Sequence, residues 1–364
     1  MAKKIGFIGL GVIGGSLAKA IRKYHPTYDV IAYDINRESL ALALQEGTIT
    51  IACVEIDYNF RDCDYIFLCA PVSDNTAHLS LLKDYIDSHC ILTDVGSVKT
   101  SIHQEIIAQG LEEVFIGGHP MAGSERNGFA NAKAHLIENA YYILTPSAKV
   151  ASEKVEAYQT FITSLKALPV VLDYQQHDFI TGTISHLPHI IAFCLVNQVR
   201  GTDTPDEWMK TLAAGGFKDI TRIASSSPLM WQQICLENRD QITHILDSYI
   251  AALSTTRDAI QDCSEQELYS CFESAKDYRD SISDISRGSI RKVFALYCDI
   301  VDEAGGIAII TTILASNQIN IKNMGIVHNR EFVEGALCIE FYDDVSFAKA
   351  TELLAKYHYS VYTR

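Results

Sequence analysis

The segment Lys4–Ser16, with the sequence KIGFIGLGVIGGS, decides the fold of the N-terminal part of the chain. An apolar run typical of a strand leads into three glycines in the pattern G-x-G-x-x-G, at Gly9, Gly11 and Gly14, and a segment of helical character follows. Each glycine has a separate task in such a unit: the tight turn, the close approach of backbone to a pyrophosphate, and the close packing of helix on strand. The free N–H groups and positive dipole end of the helix favour bound phosphates.

The next predicted strand ends at Asp34, twenty residues after Gly14. A carboxylate at this place accepts hydrogen bonds from an adenosine ribose and repels a 2′-phosphate, which favours NAD over NADP. Arg37 lies close enough in sequence to weaken that preference. In the alternative interpretation the glycines only form a turn and Asp34 is a solvated strand end. The full order of strand, loop, helix, strand and acid favours the dinucleotide site.

Around the glycine segment, residues 1–173 alternate short apolar runs with amphipathic segments. The alternation predicts an α/β, Rossmann-type dinucleotide-binding domain whose parallel sheet is covered by helices on both faces. Predicted helices include Ser16–Lys23, Arg37–Gln45 and Val98–Gln109. The predicted strands are Ile5–Leu10, Val30–Tyr33, Tyr65–Ala70, Ile91–Val95, Val114–Ile116, Tyr141–Leu144 and Val170–Leu172.

Two different patterns follow along the chain. Residues 174–289 lose the strand signals and have apolar residues at helical spacing, as in Leu187–Val199 and Ile242–Ile260, which predicts an all-helical domain. Residues 290–364 predict the element order βαββαβ of a ferredoxin-like sandwich. Its predicted elements are Val293–Ile300, Gly305–Ser316, Ile319–Val327, Ala336–Phe341, Phe347–Tyr357 and Tyr359–Thr363.

Composition excludes several classes of partner. The formal net charge of −15 argues against binding to nucleic acid or to a membrane surface, because both are polyanionic. The ten scattered cysteines form no CxxC pair, and the apolar run follows Met1 so closely that we expect no signal peptide. We therefore expect a cytoplasmic protein with buried thiols rather than disulfides or zinc ligands. No apolar stretch is expected to span a membrane.

Two polar stretches follow predicted strands, where doubly wound sheets place their ligands. One is Thr93–Lys99 (TDVGSVK), in which Ser97 is a plausible N-cap of the next helix. The other is Gly117–Glu125 (GGHPMAGSE), which we expect to be a loop because of its Gly and Pro content. A neutral histidine can take a hydroxyl proton near pH 7, so its position makes His119 a candidate base for hydride transfer. A purely structural histidine is the alternative.

The helical region contains two further clusters. Ser185–His189 (SHLPH) places two histidines three residues apart, so that both could face one cleft. No third ligand is evident, and we expect hydrogen bonding rather than metal binding. In Gly215–Arg222 (GGFKDITR), Arg222 could hold a carboxylate through two hydrogen bonds. The alternative is an ordinary ion pair of Arg222 with Asp219 or Glu237.

Taken together, these motifs resemble the prephenate dehydrogenase family, the tyrosine-pathway enzymes that oxidise and decarboxylate prephenate with NAD. The resemblance covers essentially the whole chain. It rests on GLGVIGGSLA, DVGSVK, GGHPMAGSE, SHLPH and GGFKDITRIASSSPLMW, and the last four in this order are much more specific than the glycine loop.

The resemblance implies roles for the motif residues. His119 is similar to the histidine that hydrogen-bonds the ring 4-hydroxyl and assists hydride transfer. Ser97 resembles the serine that helps to orient both that histidine and the hydroxyl. His189 and Arg222 resemble substrate-binding positions, with Arg222 implied to hold a carboxylate. Further positions that line or shape the site are Glu125, Gly215, Asp219 and Trp231. Glu125 is implied either to gate access or to bind through water. Ser124 stands where the family often has Thr, which keeps the hydroxyl.

The C-terminal segment resembles an ACT domain, a module that often binds amino acids and regulates metabolic enzymes. The resemblance rests on Asp302–Gly306 (DEAGG) and Asn320–Lys322 (NIK), and it makes Asp302, Gly306 and Asn320 candidate regulatory residues. Ala304 stands where ACT turns often have Pro, which puts amino-acid binding in more doubt than the fold.

The resemblance implies an NAD-dependent enzyme that converts prephenate to 4-hydroxyphenylpyruvate, with tyrosine as feedback effector and a homodimer as the assembly. Arogenate dehydrogenase is an alternative, because the substrates differ only in an amine that replaces a keto group. A β-hydroxyacid dehydrogenase would usually carry a catalytic lysine on the first long helix after the nucleotide domain, and Leu187–Val199 contains none. A non-catalytic sensor of NAD and an aromatic amino acid is the alternative of another class.

Overall fold

Five parallel strands form the first sheet in the computed structural model, in the order β3-β2-β1-β4-β5. The structure describes residues 3–123, 126–282, 294–299, 305–327 and 336–363. The strands are β1 (Lys4–Ile8), β2 (Asp29–Tyr33), β3 (Ile51–Cys53), β4 (Tyr65–Leu68) and β5 (Ile91–Asp94). The helices between them are α1 (Val12–Tyr24), α2 (Arg37–Gln45), α3 (Val72–Leu82) and α4 (Thr100–Gln109). The predicted parallel sheet is confirmed here, although the short strand β3 was not predicted.

Alternate side chains of these strands enter two separate apolar cores, one on each face of the sheet. Ile5 and Phe7 belong to one core and Ile8 to the other, and Phe67 and Leu68 divide in the same way. Successive side chains of a strand point to opposite faces, so strands without alternating polarity need cover on both sides. The helices provide that cover.

We predicted that the strands after β5 would continue the parallel sheet, but they form a separate sheet. A three-stranded sheet consists of β6 (Ile116–Pro120), β7 (Tyr141–Pro146) and β8 (Leu168–Val171), and β6 runs antiparallel to β7. Only short 3₁₀ turns occur in the described part of the β6–β7 connection, whereas a parallel return needs a longer crossover. The helix α5 (Ser152–Ser164) supplies such a crossover between the parallel strands β7 and β8. A parallel bridge between Leu92 and Phe115 connects the two sheets.

The region after β8 is helical as predicted. Its first two helices form one nearly continuous stretch, interrupted by a π-helical turn at Gly182–His186. The helices are α6 (Tyr174–Thr181), α7 (Leu187–Thr202), α8 (Trp208–Leu212), α9 (Gly215–Thr221), α10 (Pro228–Glu237), α11 (Arg239–Gln261) and α12 (Glu265–Ser281). Single π-turns inside helices are frequent at functional sites, and this one contains His186.

The helical stretch Tyr174–Thr202 corrects one expectation from the sequence. It is long and apolar enough to cross a membrane by length and composition, with a mean hydropathy of 1.6 over an 18-residue window. Two charged or titratable side chains near its start, His177 and Asp178, are fully buried against the sheet region. These contacts make it a helix of the folded domain, whose apolar outer face includes the exposed Ile184 and Phe193.

The chain divides into two compact units, Met1–Ile282 and Ser283–Arg364. The predicted boundary at residue 173 lies inside the first unit and stays a prediction. In the second unit, the described residues form the order βαββαβ, with the antiparallel sheet order β10-β11-β9-β12 and a core of its own. The elements are β9 (Phe294–Asp299), α13 (Gly306–Ser316), β10 (Ile321–Val327), β11 (Ala336–Phe341), α14 (Asp344–Lys356) and β12 (Val361–Thr363).

All ten cysteines lie in described residues and are free thiols. The sequence analysis expected buried thiols, but Cys194, Cys263 and Cys271 are exposed. The buried ones behave as small apolar side chains, since burial raises the pKa of Cys53 and Cys298 to about 11.

Candidate active site

His119 lies in the strand β6 rather than in the loop that we expected. The two glycines before it are required by packing. A Cβ on Gly118 would lie 2.5 Å from the backbone oxygen of Asp94, and one on Gly117 would collide with the hydroxyl of Thr145. The strand therefore fits closely between β5 and β7. The Gly content that suggested a loop serves this close approach instead.

Two residues that the sequence did not single out complete the surroundings of His119. Its Nδ1 lies 2.8 Å from Nε2 of His177, and the Nδ1 of His177 lies 2.8 Å from Oδ1 of Asp178. His177 and Asp178 are fully buried near the start of α6. The local signal was an adjacent His–Asp pair in α6, a helix whose third buried residue is the polar Thr181. No sequence spacing connects that pair to residue 119.

Asp178 also caps helix α4, which corrects the prediction for Ser97. The helix begins at Thr100, and the backbone N–H groups of Lys99 and Thr100 donate to the two oxygens of Asp178 at 2.8 and 2.7 Å. An ionised carboxylate is a stronger acceptor for the free N–H groups of a helix than a hydroxyl. Ser97 lies before the cap position, partly exposed, and among the described residues no hydrogen bond connects it to His119.

A buried ion pair supports the same corner of the sheet. Lys99 and Asp94 are both fully buried, and the ammonium group contacts the carboxylate directly. Asp94 also accepts hydrogen bonds from the backbone N–H groups of Gly96, at 2.9 Å, and Gly118, at 3.1 Å. The pair thus fixes the TDVGSVK segment and the strand that carries His119 relative to each other. The sequence did not reveal this role of Lys99.

The electrostatics of the cluster keep its histidines neutral. Burial lowers the pKa of His119 well below its usual value, and the nearby His177, Lys99 and His186 lower it further. Burial also lowers the pKa of His177, against the opposing effect of Asp178. A neutral His119 whose Nε2 makes no hydrogen bond to the described residues is able to accept a proton.

The two histidines of the SHLPH motif have different surroundings. Burial lowers the pKa of His186 to about 4, and its Nδ1 accepts a hydrogen bond from Nδ2 of the buried Asn238 at 3.1 Å. His189 donates from Nδ1 to the backbone oxygen of Ser185 at 2.9 Å and stacks on Trp231 with ring centroids 3.7 Å apart. His186 is therefore structural, whereas His189 and Trp231 face a cavity.

That cavity, which we call the histidine cavity, has a volume of about 390 Å³ and is bordered by α7 and α10. Its lining residues include His189, Trp231 and the polar Asn197 and Gln232. The Nε1 of Trp231 is buried and has no hydrogen-bond acceptor in the described part of the protein. A buried donor of this kind is costly unless it meets a ligand or water.

Arg222 lies beside a second cavity, which we call the arginine cavity, of about 330 Å³. Gly123, just after the His119 strand, lines the same cavity, and Ile223 and Ser226 line both cavities. The structure thus brings Arg222 close to the GGHPMAGSE segment and to the residues around His189. The positive charge of Arg222 contributes to the lowered pKa of His189, whose main cause is burial.

The remaining predicted substrate residues are less closely joined to this site. Gly215 and Asp219 lie on the exposed helix α9, and a Cβ on Gly215 would meet no atom within 4 Å. Ser124 and Glu125 lie outside the described residues. Among the regulatory candidates, Asp302 lies outside the described residues as well, Gly306 begins α13, and Asn320 is exposed before β10.

The glycine loop borders a third cavity, the glycine cleft, of about 450 Å³. Gly9, Gly11 and Asp34 line it, and a Cβ on Gly11 would meet no atom within 4 Å, so the backbone faces open space there. Gly14 instead serves packing, because its Cβ would lie 2.8 Å from the backbone oxygen of Gly9. Gly14 thus has the packing task that the sequence predicted for it, and the open backbone at Gly11 leaves room for a ligand.

Asp34 and Arg37 differ in their orientation to this cleft. Asp34 accepts hydrogen bonds from the backbone N–H groups of Leu10 and Asn36, which fix its carboxylate at the end of β2. Arg37 donates to the backbone oxygen of Val54 at 2.8 Å, and it is absent from the cleft lining. The carboxylate, not the guanidinium, therefore faces the glycine cleft. In the described residues, no group of three His, Cys, Asp or Glu side chains could hold a metal ion.

Comparisons with known proteins agree with this arrangement. Residues 17–171 match the family model "Prephenate dehydrogenase, nucleotide-binding domain", and residues 173–274 match "Prephenate dehydrogenase, dimerization domain". The prephenate dehydrogenase of Bacillus subtilis is 37% identical over 97% of this chain and 96% of its own length.

Two solved structures are similar to the chain. Prephenate dehydrogenase from Aquifex aeolicus, in complex with hydroxyphenyl propionate and NAD⁺, has a TM-score of 0.73 and 30% identity, over 78% of this chain and 99% of that one. Synechocystis arogenate dehydrogenase has a TM-score of 0.70 and 28% identity, over 77% of this chain and 100% of that one.

Proposed function

The chain belongs to the prephenate dehydrogenase family of NAD-dependent oxidoreductases, and from this premise we propose that it converts prephenate to 4-hydroxyphenylpyruvate and CO₂. The single observation that carries the mechanism is the neutral His119, whose Nε2 makes no hydrogen bond to the described residues, on the strand that precedes Gly123 of the arginine cavity. His189 lines the neighbouring histidine cavity. His119 is the base for a hydroxyl proton, and Arg222 is the cation for a carboxylate. His189 is the polar aromatic group for the side chain of the substrate.

In the proposed reaction, Nε2 of His119 takes the proton of the ring 4-hydroxyl while the C4–H bond breaks as hydride. NAD⁺ supplies the hydride acceptor. The bond between the ring and its carboxylate then breaks and CO₂ leaves. The electron pair of that bond makes the ring aromatic and leaves a phenolate oxygen, which takes the proton back from Nε2 of His119. Aromatisation makes the step effectively irreversible, so the protein mainly has to position the substrate and keep His119 unprotonated.

The residues of the glycine cleft fit the dinucleotide. Gly11 leaves its backbone open to the cleft, the first N–H groups of α1 are suited to phosphate oxygens, and Asp34 is suited to ribose hydroxyls. We propose that Arg37 takes no part in binding, because its guanidinium is held by backbone oxygens at the end of β3. NAD is therefore preferred over NADP.

Substrate binding is assigned to the two cavities. Arg222 holds a carboxylate of prephenate, and Nε1 of Trp231 donates a hydrogen bond for which the described residues offer no acceptor. His189, with its Nδ1 fixed on Ser185, offers Nε2 to the side chain of the substrate. Ser97, Glu125, Gly215 and Asp219 keep the roles that the family motif implies, as proposals.

Assembly and regulation are further proposals. A second copy of the chain is the natural cover for the apolar outer face of the helical region, and one family model is described as a dimerization domain. The second unit has the element order of an ACT domain, and we propose that it binds tyrosine as an inhibitor. We expect the protein to be cytoplasmic, in keeping with its free thiols.

Steady-state kinetics test the function directly. NADH formation is followed with prephenate or arogenate, with NAD or NADP, and with or without tyrosine. We expect the highest kcat/KM with prephenate and NAD. A higher kcat/KM with arogenate would show that arogenate, not prephenate, is the preferred substrate. Arogenate is included because a solved arogenate dehydrogenase is similar to the chain. No NADH with either substrate would leave the sensor as the better explanation.

A further inference from the structure

We propose that His177 and Asp178 are positioning residues that hold His119 in the tautomer with its proton on Nδ1, so that Nε2 is left as the base. The inference deepens the proposed function, because it rests on His119 as the proton acceptor. It is carried by two consecutive contacts of 2.8 Å, from His119 to His177 and from His177 to Asp178.

The direction of these hydrogen bonds follows from Asp178. Its side chain is fully buried, and it accepts from the backbone N–H groups of Lys99 and Thr100 as well as facing Nδ1 of His177. Burial alone would raise the pKa of Asp178, but the hydrogen bonds from His177, Thr100 and Lys99 outweigh it and the pKa is lowered. An ionised carboxylate can only accept, so Nδ1 of His177 must carry a proton and donate it.

The same reasoning passes from His177 to His119. His177 is neutral near pH 7 because burial lowers its pKa, so its Nε2 has no proton and can only accept. The partner atom, Nδ1 of His119, must then be the donor. A neutral imidazole carries one proton, and Nε2 of His119 is therefore left with its lone pair.

This arrangement also stabilises the product of proton transfer. When Nε2 of His119 takes a proton, the ring becomes a cation that still donates from Nδ1 to His177. The negative charge of Asp178 stands behind that contact on the far side of His177. Among the described residues, the other charged and titratable groups that act on His119 are Lys99, from the β5–α4 segment, and His186, from the π-turn. Lys99 bonds Asp94 and His186 bonds Asn238 instead.

The tautomer of His119 is measured directly by long-range ¹H–¹⁵N NMR of histidine-labelled protein, with the signal assigned from its loss in His119→Asn. We expect the proton on Nδ1 in the wild type. A wild-type His119 with its proton on Nε2 would overturn the proposal without any variant. The measurement needs no turnover, so it stands apart from the test of the proposed function.

Variants at position 177 supply the second test. In His177→Phe the acceptor is lost, and we expect a mixed tautomer at His119 and a kcat lower by roughly 10- to 100-fold, with the KM for NAD within about two-fold of wild type. His177→Gln keeps an oxygen that can accept from Nδ1, so it should retain the wild-type tautomer and lose less activity.

The matched control is His103→Phe. His103 is also a buried histidine, but it bonds Thr145 and has no contact with His119. We expect it to change the folding stability while leaving kcat and the His119 tautomer as in the wild type. An unchanged tautomer and kcat in folded His177→Phe would overturn the inference. Absent turnover in the wild type, with the expected tautomer, would overturn the proposed function alone.

Discussion

The side chain of Asp178 caps the helix that begins at Thr100, with Oδ2 of the carboxylate 2.7 Å from the backbone nitrogen, across 78 positions of sequence. One buried residue of the helical region thereby fixes the start of a helix in the sheet region. The same carboxylate orients His177, so the packing of the two regions and the arrangement of the site depend on a single side chain.

Replacement of Asp178 by Ala should therefore be strongly destabilising. The change leaves the buried N–H group of Lys99 and the partly buried N–H group of Thr100 without their charged acceptor. We expect a loss of about 3 kcal/mol or more in the free energy of unfolding, measured with urea. Asp173→Ala removes an exposed cap of α6 and should cost about 1 kcal/mol. Equal losses in the two variants would contradict a special role for the buried cap.

Replacement of His119 by Asn tests the base. The amide cannot accept a proton from the substrate at neutral pH, so we expect kcat to fall by roughly 10²-fold or more. The glycine cleft does not include His119, and the dissociation constant of NADH, measured by fluorescence, should stay close to that of the wild type. Near-normal turnover would remove His119 from the mechanism.

Replacement of Arg222 by Ala tests the carboxylate site. Loss of a charged, bidentate hydrogen-bond donor should raise the KM for prephenate by roughly 10- to 100-fold, with little change in the KM for NAD. Arg222→Lys should recover only part of the affinity, because an ammonium group lacks the planar fork. The control Arg239→Ala removes another exposed arginine, which pairs with Asp240 on α11, and should leave both KM values unchanged. An unaltered KM in Arg222→Ala would refute the assignment.

Replacement of Gly118 by Ala tests whether the motif glycines serve packing. The added Cβ would lie 2.5 Å from the backbone oxygen of Asp94, so the strand must shift, and we expect a loss of about 3 kcal/mol together with a lower kcat. Gly201→Ala places a methyl group in open space on α7 and should change the stability by no more than about 1 kcal/mol. Thermal unfolding and turnover of both variants decide the comparison.

The buried histidines should make folding stability depend on pH. Burial lowers the pKa of His103 and His186 to about 4, so the folded protein binds fewer protons than the unfolded chain below the ordinary value of 6.5. Their contribution is fully present above pH 6.5 and is lost as the pH falls towards 4, by at most about 3 kcal/mol for each. Urea unfolding at pH 7.5 and pH 5 should show a smaller difference for His103→Phe than for the wild type. An equal difference would show that His103 does not contribute.

Much of the site could be predicted because its signals are local. The glycine pattern, the acid at the end of β2 and the four family motifs each lie within a short stretch, and the structure places Gly9, Gly11, Asp34, Arg222, His189 and Trp231 in cavities. The wrong prediction of a loop around His119 had the same cause, because it too was based only on a short stretch of sequence. Gly117 and Gly118 suggested a loop, whereas their lack of a side chain allows a strand to lie close to its neighbours.

The sequence by itself determined the nucleotide fold, the helical region and the identity of the candidate base, because hydrophobic period and residue type are properties of neighbouring positions. Only the tertiary structure decided the antiparallel direction of β6, the helix cap at Thr100 and the contact between His119 and His177, whose positions are 58 residues apart. Such contacts depend on how whole elements pack. The direction of the hydrogen bond between His119 and His177 depends in turn on the negative charge of Asp178, which His177 also contacts.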